Sequence, residues 1–234
     1  MLKKLISVLA AAALFAGCMT GCAMDGGKYD AVKQAQAAVM TLSSGRLMVT
    51  AGYEKNTKSD RIVTEFIFQK LESGAYAYCQ TQYDRNNKPV YCEYSDGTKT
   101  EQWLIGKGWG EMTGVLYSAE SPHRYMKLLS TAYERKTVSS ISMTQEDANK
   151  RYDMVLNPTR LNETVYTDGD AEALEESVSV LVGEDGGLLC YNDEARMKDH
   201  MMGEEIKYTL EIQLNQQNTV AEIQRPDLRD DYMK

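Results

Sequence analysis

Basic residues are in short supply: 26 Lys and Arg stand against 34 Asp and Glu in 234 residues, and they never gather into a run. A net charge of −8 repels nucleic acid and anionic membrane surfaces, so no nucleic-acid partner is expected. Histidine occurs only as His123 and His200, and HExxH, CxxC, GxSxG and SxxK patterns are all absent. Gly106, Gly108 and Gly110 mimic a phosphate loop, but no GxGxxG or Walker pattern continues them and their setting is strand. No motif names a reaction, so the chain is read as no enzyme, with no cofactor and no metal. Only 4 prolines and no low-complexity segment interrupt a sequence that is 43% hydrophobic, which excludes disorder as the main state and argues for one globular domain with a sizeable core.

Long apolar runs are also lacking. Leu5 to Ala16, about a dozen residues, is too short to span a bilayer; after Lys3 and Lys4 it reads as an export signal. It runs into Ala16-Gly17-Cys18 and then Met19-Thr20-Gly21-Cys22, and small residues directly before a Cys resemble the lipobox of bacterial lipoproteins. That resemblance implies a leader of residues 1–17 or 1–21, acylation of Cys18 or Cys22, and a domain held on the extracytoplasmic face of the cell membrane by its lipid anchor. Residues 22–28 form a short tether. Without Lys3 and Lys4, 24 basic side chains face 34 acidic ones, a net charge of −10.

Past the tether, Val32, Ala35, Val39 and Leu42 recur at helical spacing and predict an amphipathic helix over Tyr29 to Leu42. Alternating runs from Leu47, Arg61, Ala75, Pro89 and Thr100, separated by Asn56-Thr57-Lys58, Ser73-Gly74, Asn86-Asn87 and Asp96-Gly97, predict five strands in an antiparallel meander, the fifth continuous from Thr100 to Trp109. Ser121 as N-cap and Pro122 at the first helical position open a second helix to about Arg135, with Tyr125, Leu128, Leu129, Ala132 and Tyr133 on its apolar face. Strands follow at Val138 to Met143, Met154 to Leu156, Thr164 to Tyr166, Ser177 to Val182 and Leu188 to Tyr191; Thr144 to Arg151 is ambiguous, with Thr144 and Asp147 spaced as at the opening of a helical turn. The cleanest alternation runs from Ile206 to Leu214, before a turn into Thr219 to Gln224. Residues 29–225 form the domain and 226–234 a polar tail.

An exported domain that runs helix, five meandering strands, helix and more strands, with Tyr94-Ser95-Asp96-Gly97 leading into Trp103 and Trp109, resembles the superfamily that includes the LolA and LolB lipoprotein carriers and the mycobacterial LppX and LprG lipoproteins. The resemblance implies an α+β fold: a curved antiparallel sheet, an incomplete β-barrel, closed by amphipathic helices on its concave side, with space between for acyl chains. In Arg61 to Leu71 both faces are apolar, Ile62, Phe66 and Phe68 on one and Val63, Ile67 and Leu71 on the other, as a strand covered on both sides requires. An apolar or amphipathic ligand between sheet and helices would be lined by Val32, Val39, Phe66, Phe68, Leu128 and Leu129, unless the helices pack fully and those residues are only core. The alternative is an envelope interaction or sensor module with a filled interior, engaging a protein or wall polymer through a sheet surface rich in tyrosine, among them Tyr76, Tyr78, Tyr83, Tyr91 and Tyr94.

Three cysteines remain. With Arg85-Asn86 central in the turn, Cys79 lies opposite Cys92; with Asn86-Asn87 central the two are diagonal neighbours, and in either register they form a possible disulfide closing a 14-residue segment. Cys190 is left over. Met197, His200, Met201 and Met202, near Asp199 and Glu204, would suit a soft metal, but one cluster without further donors reads as a loop with methionines packed on the core. Glu172, Glu175 and Glu176 read as solvated surface.

Overall fold

The computed structural model describes residues 25–228 apart from 57, 168, 169 and 202. The leader, Cys18, Cys22 and most of the 226–234 tail lie outside these residues. Helix α1 covers 25–38 and tightens into a 3-10 turn, Val39–Thr41. Six strands follow: β1 (Ser44–Lys55), β2 (Lys58–Lys70), β3 (Tyr76–Tyr83), β4 (Pro89–Ser95), β5 (Thr100–Leu104) and β6 (Gly108–Met112). Helix α2 (Arg124–Ser130) and a 3-10 turn (Arg135–Thr137) lead to β7 (Val138–Glu146) and β8 (Asn149–Leu156), then helix α3 (Pro158–Thr164), β9 (Ala171–Val182), β10 (Leu188–Asp199) and β11 (Glu204–Asn215).

All eleven strands join one antiparallel sheet in the order β6-β5-β4-β3-β2-β1-β11-β10-β9-β8-β7. The first and last strands in sequence therefore lie side by side at its middle, Val49 opposite Ile212, and weld two meanders together. Its ends, β6 and β7, are not paired to each other, so the sheet is open.

One face, here the inner face, packs against all three helices. Val32 and Ala35 of α1, Met126 and Leu129 of α2, and Leu161 of α3 share a core with Leu47, Phe66, Phe68, Tyr78, Met154, Val178, Val180 and Ile212. Across β3 to β5, the opposite face carries a smaller cluster of Ala77, Cys79, Cys92 and Trp103 with Ile223, flanked by Val220 and Leu228. The strands with two apolar faces are thus covered twice, by helices inside and by the extended C-terminal segment outside; that segment is not the strand expected at Thr219 to Gln224.

Four other local expectations are corrected. The strand from Thr100 to Trp109 is folded into the β5–β6 hairpin, because Gly106 takes φ +77° and reverses the chain, setting Trp103 opposite Trp109. Thr144 to Arg151 is a hairpin with Asp147 at φ +51°. Asn157-Pro158 opens α3 where a strand from Thr164 was expected: the Asn157 side chain accepts from Arg160 N at 3.2 Å, and Pro158 fits the first turn, where an N–H would have no partner. Helix α2 is shorter than Pro122 to Arg135. His123, not Ser121, caps it, accepting from Tyr125 N at 3.3 Å, and the hydroxyls of Ser130 and Thr131 take the Lys127 carbonyl at 3.0 and 2.7 Å and end it. Ala132 and Tyr133 are released from the helix to line the space beside it.

Candidate functional site

The end of α2, the extended segment 131–137, the end of α3 and Tyr191 of β10 surround an open cavity of about 470 Å³. Its apolar walls are Leu128, Ala132, Val165 and the rings of Tyr133 and Tyr191. Leu128 and Val165 remain 38% and 49% exposed. Fully burying such a side chain contributes about 1.5–3 kcal/mol, so a ligand covering the part of each that remains exposed would recover about 1 kcal/mol apiece.

Beneath this cavity the inner face carries two carboxyl groups in the midst of aliphatic core. Glu176 on β9 is 3% exposed and accepts hydrogen bonds from Tyr133 Oη at 2.6 Å and Tyr166 Oη at 2.8 Å. Asp193 on β10 accepts from Tyr191 Oη at 3.3 Å, and the Tyr133 hydroxyl lies 3.5 Å from the same oxygen. Its other oxygen, Oδ1, is buried with no partner. Burial, and then the charge of Glu176, push the Asp193 carboxyl up to about 7. Burial likewise raises Tyr133, Tyr166 and Tyr191, so all three remain hydrogen-bond donors at neutral pH. Tyr133 also ties α1 to the cluster, since its carbonyl accepts from Tyr29 Oη at 2.6 Å.

On the far side of the cluster, a second cavity of about 340 Å³ lies between Ala51, Tyr166, Asp193, Ala195, Met197 and Leu210. The tyrosine–carboxylate cluster is thus a polar partition between two apolar hollows, few convergent polar groups in apolar walls being the usual make-up of a small-molecule site.

The reading of Glu176 as solvated surface is corrected. The signal was its period-two alignment with Val178, Val180 and Val182, which puts it on the core face of β9; its neighbour Glu175 points out to Arg196 at 2.8 Å. Asp193 likewise shares a face with Tyr191, Ala195 and Met197. Of the six expected ligand liners, Leu128 alone faces the larger cavity. Val32, Val39, Phe66, Phe68 and Leu129 are at most 2% exposed and belong to the core, where Phe66 stacks on Phe68 and on His123 with ring centroids 5.8 and 3.9 Å apart. His123 is pushed down to about 3 by burial and the nearby Arg124 charge, and its Nε2 lies 2.8 Å from Gln80 Oε1. Of the five tyrosines expected on the sheet surface, Tyr76 and Tyr78 are core, whereas Tyr83, Tyr91 and Tyr94 are half-buried; Tyr78 and Tyr91 donate to the buried Glu93 at 2.5 and 2.8 Å.

Cys79 and Cys92 are diagonal neighbours, Cys79 facing Tyr94 and Thr81 facing Cys92, because a bulge at Gln82/Tyr83 sets the register of the Asn86-Asn87 centre. Both thiols are free, with Sγ atoms 3.7 Å apart. The methionine cluster does not converge: Met197 is 8% and Met201 84% exposed, His200 lies 3.7 Å from Glu172, and Met202 is outside the described residues. Among the described residues no group of three or more His, Cys, Asp or Glu side chains is placed to hold a metal, and no helix is long and apolar enough to cross a membrane.

No family model matches the chain, and no curated protein does. Similar solved structures include LprF from Mycobacterium bovis, at 10% identity over 86% of this chain and 97% of that one with TM-score 0.49. The lipoprotein LppX of Mycobacterium tuberculosis follows at 11% identity, 86% and 100% coverage and TM-score 0.42. A LolA superfamily protein from Nitrosomonas europaea stands at 9% identity, 88% and 96% coverage and TM-score 0.30. LolA- and LppX-like lipoproteins, the group named from the order of helices and strands, are among the solved structures to which this chain is similar.

Proposed function

We propose that this chain is an extracytoplasmic lipoprotein, anchored to the bacterial cell membrane through an acylated Cys18 or Cys22, that holds an apolar or lipid-like ligand between α2 and the concave side of the sheet without acting on it chemically. The observation that carries this reading is the open apolar cavity beside α2, where Leu128 and Val165 stay exposed although the adjoining core is filled. Native mass spectrometry of the protein purified from bacterial cells without detergent is expected to show a stoichiometric adduct that denaturation releases into an organic extract. Leu128→Asp and Val165→Asp, changes to already exposed side chains, should leave stability within about 0.5 kcal/mol and abolish the adduct. A clean apo mass that persists after incubation with lipid vesicles would overturn the reading. It would turn attention to the second one, an envelope contact surface, which the exposed inner-face residues Tyr53, Ile62 and Tyr208 favour, Tyr53 being paired directly with Tyr208.

The same compartment bears on Cys79 and Cys92. Exposed to a disulfide oxidant, the pair is expected to join, since its Sγ atoms already lie 3.7 Å apart and have only to close to the roughly 2.05 Å of a bond. Non-reducing peptide mapping would show the 79–92 link, and reduction should lower stability by about 2 kcal/mol; two alkylatable thiols in the exported protein would overturn it.

A further inference from the structure

Two cations stand at the mouth of the cavity beside α2. Arg124 and Lys127 are both exposed and one turn apart, so they lie on one side of the helix. The Arg124 guanidinium sits 4.9 Å over the Tyr125 ring and donates to its hydroxyl at 3.2 Å, while Lys127 has no ion pair among the described residues. The acid at the rim, Glu134, is paired with Lys136 at 2.7 Å. The mouth is therefore net positive on a chain whose overall charge is −8. Behind the cations the walls are Leu128, Ala132 and Val165, and the Tyr133 and Tyr191 hydroxyls deeper in are already engaged with Glu176 and Asp193.

We propose that this cavity selects amphiphiles with an anionic head, the head resting between Arg124 and Lys127 and the hydrocarbon chain lying against Leu128, Ala132 and Val165. The inference rests on the reading of the cavity as a ligand site and adds the charge of the ligand. At an open mouth an anionic head keeps much of its hydration while gaining attraction from both cations; a neutral head gains nothing and an ammonium head is repelled.

The test is a methyl NMR titration of the full chain at low salt with three ligands that share one tail: dodecanoate, dodecan-1-ol and dodecylammonium. Dodecanoate is expected to shift the Leu128, Ala132 and Val165 methyls with a Kd about ten-fold below that of the alcohol, and the gap should narrow in concentrated salt. The R124Q/K127Q double variant should bring the dodecanoate Kd up to that of the alcohol and leave the alcohol unchanged. K127E should weaken dodecanoate further and improve dodecylammonium. Alcohol or ammonium binding at the same methyls as tightly as dodecanoate would overturn the charge selection and leave the cavity reading intact. If none of the three ligands moves those methyls, the cavity reading fails and this inference fails with it.

Discussion

Glu176→Ala is expected to destabilise the protein by about 4 kcal/mol, read as the shift in a denaturant or thermal midpoint. Two buried hydroxyls, Tyr133 at 2.6 Å and Tyr166 at 2.8 Å, lose their acceptor at once. Hydrogen bonds to a charged group contribute about 1.5–3 kcal/mol each, and a donor left unsatisfied in the core costs its desolvation in addition. Water entering from the neighbouring cavities would recover part of that, which keeps the estimate below the sum of the two bonds. Tyr133→Phe and Tyr166→Phe should each cost about 2 kcal/mol and, placed on the Glu176→Ala background, almost nothing further, because the acceptor has already gone. Glu175→Ala, one residue away on the solvent face, is the control and should leave the midpoint nearly unchanged. A Glu176→Ala loss no larger than that of the control would show that the tyrosines hold their places without the carboxylate. Because Tyr133 forms part of the cavity wall and holds α1 through Tyr29, the variant should also speed amide exchange in segment 131–137.

The second large effect is pH-dependent and comes from Asp193. Burial and the Glu176 charge raise its carboxyl to about 7 in the folded protein, against an ordinary value of 3.8. Below the ordinary value both folded and unfolded chains carry the proton, and the group makes no difference to stability. As pH rises from about 4 to about 7 the unfolded chain releases the proton while the folded chain keeps it, so the contribution of Asp193 to stability falls and then levels off. Its full extent is about 3 kcal/mol, after allowing for the part of the side chain that still reaches solvent. Asp193→Asn removes the titration and keeps the shape. The variant should therefore match the parent near pH 4 and exceed it by about 3 kcal/mol at pH 8. The difference between the two proteins is the quantity to measure, because it cancels the surface acids Asp60, Asp84, Asp96, Glu146 and Glu175. Hydrogen bonds hold these below the ordinary carboxylate range, and acidification weakens the parent and the variant alike through them. A difference that does not change with pH would show that Asp193 titrates as an ordinary surface acid. That a stabilising substitution should exist at this position fits a polar group kept for a site rather than for the fold, since Asp193 also borders the smaller cavity.

Much of the architecture was legible along the chain. Strand faces follow from alternation, which is why Ile206 to Leu214 emerged as β11 and why the two apolar faces of β2 implied two covers. Turn chemistry marked most hairpins, because Asn, Asp and Gly tolerate the positive φ seen at Asn56, Asn87, Gly97 and Gly186. Local competition was less legible. Ser130 and Thr131 could have continued α2 by periodicity alone, and only their hydroxyls' capture of the Lys127 carbonyl ended it early and left Ala132 and Tyr133 beside a hollow.

The sequence by itself determined α1, most of the strands, most hairpin turns and the acidic balance, because each depends on residues a few positions apart or on composition. Only the tertiary structure decided which hydrophobic residues fill space and which border a void: Leu128 and Leu129 are adjacent in the chain, yet one is 38% exposed on a cavity wall and the other is fully buried. It also decided that Glu176 and Asp193 lie inside. Glu176 is buried where donors distant in the chain converge on it: Tyr133 and Tyr166 come from separate segments, before β7 and after α3, that meet only when the sheet has formed beneath the helices.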